Sequence, residues 1–258
     1  ADEMLDMGFI EDIEAIMAQA PEDKRTLCFS ATMPDPIRRL AERYMKNPEI
    51  VRVADETLTT DLTEQLFVEV RESDKFEALT RFIDIEEHFY GIIFCRTKLQ
   101  CDEVGQKLVE RGYNAEALHG DLSQKQRESI LNRMRNRHLA IIVATDVAAR
   151  GIDISDLTHV INYSLPEDPE AYIHRIGRTG RAGKKGIAIT FVAQRQFKRL
   201  QFIKRLTNSD IQRTTIPPAE AIIAAKRKQI IETMKALPQP AEEFLKLALE
   251  ITGNELPE

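Results

Sequence analysis

The sequence predicts an α/β protein: a parallel sheet with helices on both faces. Three observations carry this. Short apolar runs rich in β-branched residues recur along the chain. Segments of helical period lie between most of them. Several of those segments open on helix start signals.

In chain order, the strand signals are Leu27-Cys28-Phe29, Ile50-Val51-Arg52-Val53, Leu66-Phe67-Val68-Glu69-Val70, Gly91-Ile92-Ile93-Phe94-Cys95, residues 139–144, Val160-Ile161-Asn162-Tyr163 and residues 186–192. Asp35-Pro36 and Asp168-Pro169 each place an N-cap acid before a proline at the first helical position. Thr97 with Gln100, and Ser123 with Gln126, read as capping boxes. The polar stretch Asp55-Glu56-Thr57-Leu58-Thr59-Thr60-Asp61 reads as a linker. From Thr207 onward no further strand is expected. Pro217-Pro218 precedes a helix with Ile223, Ile230, Met234 and Leu237 on one face, and Pro238-Gln239-Pro240 ends it. A second helix puts Phe244, Leu247, Ala248 and Ile251 on one side. Two short helices cannot enclose a core alone. They are expected to dock on the main domain or on a second copy of the chain.

Composition narrows the class. Of 258 residues, 43% are apolar and 30% charged, as in a soluble globular protein. No apolar run reaches the ~18 residues of a membrane span, and the opening Ala1-Asp2-Glu3 is too acidic for a signal peptide. No membrane partner is expected. The three cysteines form no Cys-x-x-Cys pair. Cys28 and Cys95 sit inside apolar runs as small buried side chains, which suits the cytoplasm. The net charge of -6 argues against a general polyanion binder, so any nucleic-acid contact must come from local patches.

The densest local patch is His174-Arg175-Ile176-Gly177-Arg178-Thr179-Gly180-Arg181. Three arginines and two glycines fall within its eight residues. Arginine presents a permanently charged fork that fits phosphate oxygens. Glycine leaves backbone amides open to a close phosphate. Ser30-Ala31-Thr32, Thr97-Lys98 and Thr145-Asp146 each follow a strand signal directly. Ligands in open α/β sheets bind there, beyond the carboxyl ends of strands. His88, His138 and His159 show no metal-ligand spacing.

Taken together, the motifs resemble the DEAD-box RNA helicases of superfamily 2. The resemblance runs from Ala1 to about Leu206. Ala1 to Phe9 looks like the end of the Asp-Glu-Ala-Asp motif, and Ser30-Ala31-Thr32 matches the Ser-Ala-Thr motif. Ile92 to Lys98 resembles motif IV, with Gln124-x-x-Arg127 after it. Thr145-Asp146-Val147-Ala148-Ala149-Arg150-Gly151-Ile152-Asp153 matches motif V. His174 to Arg181 matches motif VI. The resemblance implies a remnant of a first RecA-like domain (1–54), a linker (55–64), a second RecA-like domain (65–206) and a helical extension (207–258).

It also implies roles. Arg178 and Arg181 would be arginine fingers on the γ-phosphate of ATP. Gly151 and Asp153 would lie near the nucleotide. Arg96, Thr97, Gly120, Arg127, Thr145 and Asp146 would follow the RNA backbone, a mode that fixes position without reading sequence. Asp2, Ser30, Thr32, His174 and Arg175 would couple the two sites. For Arg175 a structural salt bridge is the alternative. Gln124 is read as a helix cap, and His119 as serving a local backbone group.

The chain keeps only the last two letters of the acidic motif and has no Gly-x-x-x-x-Gly-Lys-[Ser/Thr] loop. The resemblance therefore implies a fragment, inactive alone, with Mg²⁺ held mainly by residues outside it. The helices over 207–258 resemble, more loosely, the dimerisation extension of cold-shock-type bacterial members. That implies a homodimer through Ile223, Ile230, Met234 and Phe244. Two rival readings remain: a superfamily 2 motor acting on DNA, and a non-catalytic RNA-binding or dimerisation module.

Overall fold

The computed structural model describes residues 9–21, 23–29, 35–45, 47–51, 62–149, 154, 157–180 and 183–236. Seven strands form one sheet: β1 (Thr63–Glu69), β2 (Gly91–Phe94), β3 (Ala115–Leu118), β4 (Ile141–Ala144), β5 (His159–Asn162), β6 (Gly186–Val192) and β7 (Gln212–Arg213). Their order is β3-β4-β2-β5-β6-β1-β7, and every neighbouring pair is parallel.

Before the sheet come α1 (Ile10–Gln19) and α2 (Asp35–Tyr44). Around and after it run α3 (Lys75–Asp84), α4 (Lys98–Glu110), α5 (Gln124–Arg135), the single turn α6 (Asp146–Ala149), α7 (Pro169–Ile176), α8 (Phe197–Thr207) and α9 (Ala219–Ala236).

Side chains alternate across each strand, so the sheet buries two cores. On one face Ile92, Phe94, Ile142 and Val160 meet Met134 of α5, Ala148 of α6, Tyr172 of α7 and Leu200 of α8. On the other, Ile93, Val143, Ile161 and Phe191 meet Leu79 and Phe82 of α3 and Val104 and Leu108 of α4. Helices cover both faces, as the alternation of strand and helix signals requires.

Four expectations are corrected. No strand forms at Leu27-Cys28-Phe29 or at Ile50-Val51; Arg52 and Val53 lie outside the described residues. Cys28 is accordingly half-buried rather than a core side chain. Strand β3 carried no signal: in Ala115-Glu116-Ala117-Leu118 only the outer two side chains are buried. Finally, strands continue past Thr207, because β7 adds to the free edge of β1 through Leu66 and Phe67.

The start signals hold to different degrees. Ser123 and Gln126 form a full capping box on α5. Asp168 caps α7 by accepting from Ala171 N at 2.7 Å, with Pro169 next. Thr97 caps α4, accepting from Gln100 N at 3.2 Å, but the Gln100 side chain does not close the box. Asp35 stands inside the first turn of α2.

Candidate functional site

Parallel strands deliver all their carboxyl ends to one edge of the sheet. There β2 exits into α4 on one face, while its neighbours β4 and β5 exit towards α6 and α7 on the other. The divergence opens a crevice, the usual ligand position in such sheets. Three loops meet around it: Cys95–Thr97, Thr145–Asp146 and Tyr163–Ser164.

The crevice is organised by Arg175 of α7, only 3% exposed. Its Nε donates to Asp146 Oδ1 at 2.6 Å and its Nη2 to Asp146 Oδ2 at 2.8 Å, a bidentate ion pair. Its Nη1 donates to Asn162 Oδ1 at 3.1 Å and to the Ser164 carbonyl at 2.7 Å. The guanidinium also stands 5.0 Å from the centre of the Phe94 ring. Burial of the charge is thus matched by four hydrogen bonds and a counter-ion. The structural salt bridge read for Arg175 is formed. It brings the motif V segment at Asp146 and the motif VI helix α7 to one small cleft, which His174, Arg178 and Phe94 also line.

The remaining RNA-side candidates cluster where α4 and α5 begin. Arg96 and Thr97 are exposed at the head of α4. Lys98 of α4 pairs with Asp121 at 2.8 Å. One turn on, Asp102 meets the buried His119 Nε2 at 2.8 Å. His119 therefore bonds to a carboxylate and not to a backbone group. These two contacts clamp the β3–α5 loop that carries Gly120 against α4. Arg127 Nη2 donates to the Ala148 carbonyl at 3.2 Å, which ties α5 to α6. Thr145 Oγ1 accepts from Ala148 N at 3.4 Å, opening α6. Gln124 does not cap; its amide donates to Glu128 Oε1 at 2.9 Å.

The glycines separate into two kinds. Gly180 has φ 67°, and a Cβ there would collide with the Thr63 hydroxyl. Its glycine is required by backbone and packing. A Cβ on Gly120 would meet nothing within 4 Å. No neighbour within 4 Å demands glycine there.

Arg181, Gly151, Asp153, Asp2, Ser30, Thr32 and Phe244 lie outside the described residues. Asn162 and Ser164 had no sequence signal, because each reads as the polar end of an apolar strand. Gln100 carried a signal only as a capping partner. The Cys95 thiol is held well above the ordinary thiol value, first by its hydrogen bond to Cys101 and then by burial. It is a packing group and no nucleophile. Among the described residues no cluster of three or more His, Cys, Asp or Glu could hold a metal.

Comparison with known proteins identifies the architecture. The family description "Helicase conserved C-terminal domain" matches residues 74–183, and "DEAD/DEAH box helicase" matches residues 1–40. The DEAD-box ATP-dependent RNA helicase CshA of Geobacillus kaustophilus is 50% identical over 234 residues, covering 91% of this chain and 50% of that protein. The chain spans about half the length of the curated relatives it matches. Among solved structures, Saccharomyces cerevisiae Dbp5 bound to RNA and ADP BeF3 superposes with a TM-score of 0.77 at 33% identity, covering 88% of this chain and 61% of that one. The C-terminal domain of the DEAD-box protein Dbp5 gives 0.59 at 34% identity; it covers 66% of this chain, which in turn covers 99% of that domain. With its parallel sheet, its crevice and its ordered motifs, this chain belongs to the DEAD-box helicase family.

Proposed function

We propose that the chain supplies the second RecA-like half of an ATP-dependent RNA helicase, with residues 1–54 belonging to the first half and 207–258 forming an extension. One observation carries the reading: Arg175 locks Asp146 and the turn after α7 that bears Arg178 into a single cleft. A cation held there stabilises negative charge that develops on a departing γ-phosphoryl group. Arg178 and Arg181 take that role, with Gly151 and Asp153 beside the nucleotide and Mg²⁺ held by the opposite half. Arg96, Thr97, Gly120, Arg127 and Thr145 contact the sugar–phosphate backbone of RNA. Asp146 has both carboxylate oxygens committed to Arg175, so its part there is positional. Asp2, Ser30, Thr32 and His174 transmit between the halves. The DNA-directed reading loses ground because the relatives that match over most of the chain are named RNA helicases. The free, buried Cys95 and Cys101 favour the cytoplasm.

In a form of the protein that hydrolyses ATP, Arg178→Ala is expected to lower RNA-stimulated turnover by about 10³-fold or more. RNA affinity without nucleotide should stay within about twofold. Wild-type turnover in that variant sinks the finger assignment. An equal collapse of RNA binding would point instead to the non-catalytic module.

We further propose that α9 pairs with a second copy of the chain. Its Ile222, Ala225 and Gln229 side turns inward, and Lys226 Nζ meets Asp84 at 2.8 Å while Gln229 Nε2 donates to the Glu87 carbonyl at 3.3 Å. That contact fixes α9 on α3 and leaves Ile223, Ile230 and Met234 exposed, the last at 66%. Light scattering should give a dimer, and Ile230→Lys with Met234→Lys a monomer. A monomer before substitution rejects the pairing.

A further inference from the structure

Beyond the residues assigned so far, one hydrogen-bonded chain crosses the whole crevice. It starts at the RNA-side loop, where the Arg96 backbone N–H donates to Gln100 Oε1 at 3.0 Å. The same oxygen accepts from Ser164 Oγ at 2.7 Å, 64 residues away in sequence. The Ser164 carbonyl accepts from Arg175 Nη1 at 2.7 Å. Arg175 holds Asp146, and its own carbonyl accepts from the Arg178 N–H at 3.1 Å. Ser164 is 4% exposed and Arg175 3%, so water competes little for these bonds.

We infer that Gln100 and Ser164 are positioning residues that join the RNA-binding loop to Arg175 and so to the turn after α7 that carries Arg178. The inference rests on the helicase reading above and adds to it the physical link on this side of the site. The Gln100 oxygen is the side-chain joint between the exit of β2 and the exit of β5, beside the backbone bond in which the Ser164 N–H donates to the Phe94 carbonyl at 3.1 Å. A shift of the 95–97 loop on RNA therefore changes the support of Ser164 and, through it, of Arg175. By linkage, whatever the loop does to the Arg178 end, a nucleotide engaging Arg178 does equally to RNA affinity.

The test uses the protein in a form that hydrolyses ATP, with a single-stranded oligouridylate as probe. Its dissociation constant is measured with and without ADP and beryllium fluoride. The ratio of the two constants is the coupling. Gln100→Met and Ser164→Ala each remove one end of the central bond and should reduce that ratio about three- to tenfold. The nucleotide-free RNA constant should stay within about twofold. The double variant should lose no more than either single one, because the two residues share one bond. Gln100→Glu keeps an acceptor oxygen and should retain most of the coupling. A purely structural role would lower the thermal midpoint without moving the ratio. Unchanged coupling in both single variants, in a wild type that does couple, overturns the inference alone. A wild type whose RNA affinity ignores the nucleotide overturns the helicase reading and this inference with it.

Discussion

Arg175 shows how one side chain settles a site. A buried guanidinium is tolerated only when its donors and its charge are matched. Here Asp146, Asn162 and Ser164 match them, and Asn162 in turn donates to Thr190 Oγ1 at 3.1 Å. Removing Asp146 strands the charge. Asp146→Ala is expected to cost roughly 2–3 kcal/mol in urea unfolding, less than a fully buried pair because the aspartate is partly exposed. A loss under about 0.5 kcal/mol would show that the pair contributes little.

At the scale of elements, the decisive feature is where helices start. Thr97 does two things at once: it caps a helix and sits in a loop that faces the crevice, while Ser123 caps α5. The Ser123 box satisfies two orphan donors at the head of α5, through Gln126 N at 3.4 Å and Ser123 N to Gln126 Oε1 at 2.9 Å. Ser123→Ala should cost about 1 kcal/mol, read from thermal or urea unfolding. The α5 start also aims Arg127 at α6, so the same variant should weaken RNA binding modestly; full stability would refute the cap. The two surface pairs Lys98–Asp121 and Arg213–Glu69 fix a loop and an edge but add little stability, being solvent-exposed.

Across the whole molecule, one link at the far edge of the sheet sets an acid limit. His159 at the start of β5 is buried, stacks on Phe89 at 4.8 Å and lies 3.6 Å from Glu86. The imidazole holds the Glu86 carboxyl below its ordinary value of 4.5, against the opposing effect of burial. A carboxyl depressed in the fold adds stability above its unfolded value and loses it as pH falls through the folded one. Wild-type stability should therefore drop below about pH 4.5, while Glu86→Gln, less stable at pH 6, should show a flatter acid limb. Thermal midpoints from pH 6 to pH 3 decide this; parallel curves would remove Glu86 from the account.

Much of this was readable in the sequence because it depends on local chemistry. Alternating apolar runs gave β1, β2, β4, β5 and β6, and Ser123 and Asp168 marked their helices, since caps and periodicity are set by a few neighbouring residues. The strand signals placed Thr97 and Thr145 directly after strand ends, and the motif order added Arg175 and Arg178. Strand β3, with only Ala115 and Leu118 buried, and β7, two residues added to an edge, depend on partners distant in the chain. So does the requirement for glycine at 180, which comes from Thr63. Hydrogen-bond pairing across the crevice is likewise non-local: Gln100 reads as a cap until the fold sets Ser164 against it. The sequence by itself determined the family, the layers and the motif residues Thr97, Thr145 and Arg175. Only the tertiary structure decided which of them hold one another, because that choice is made by contacts between segments tens of residues apart.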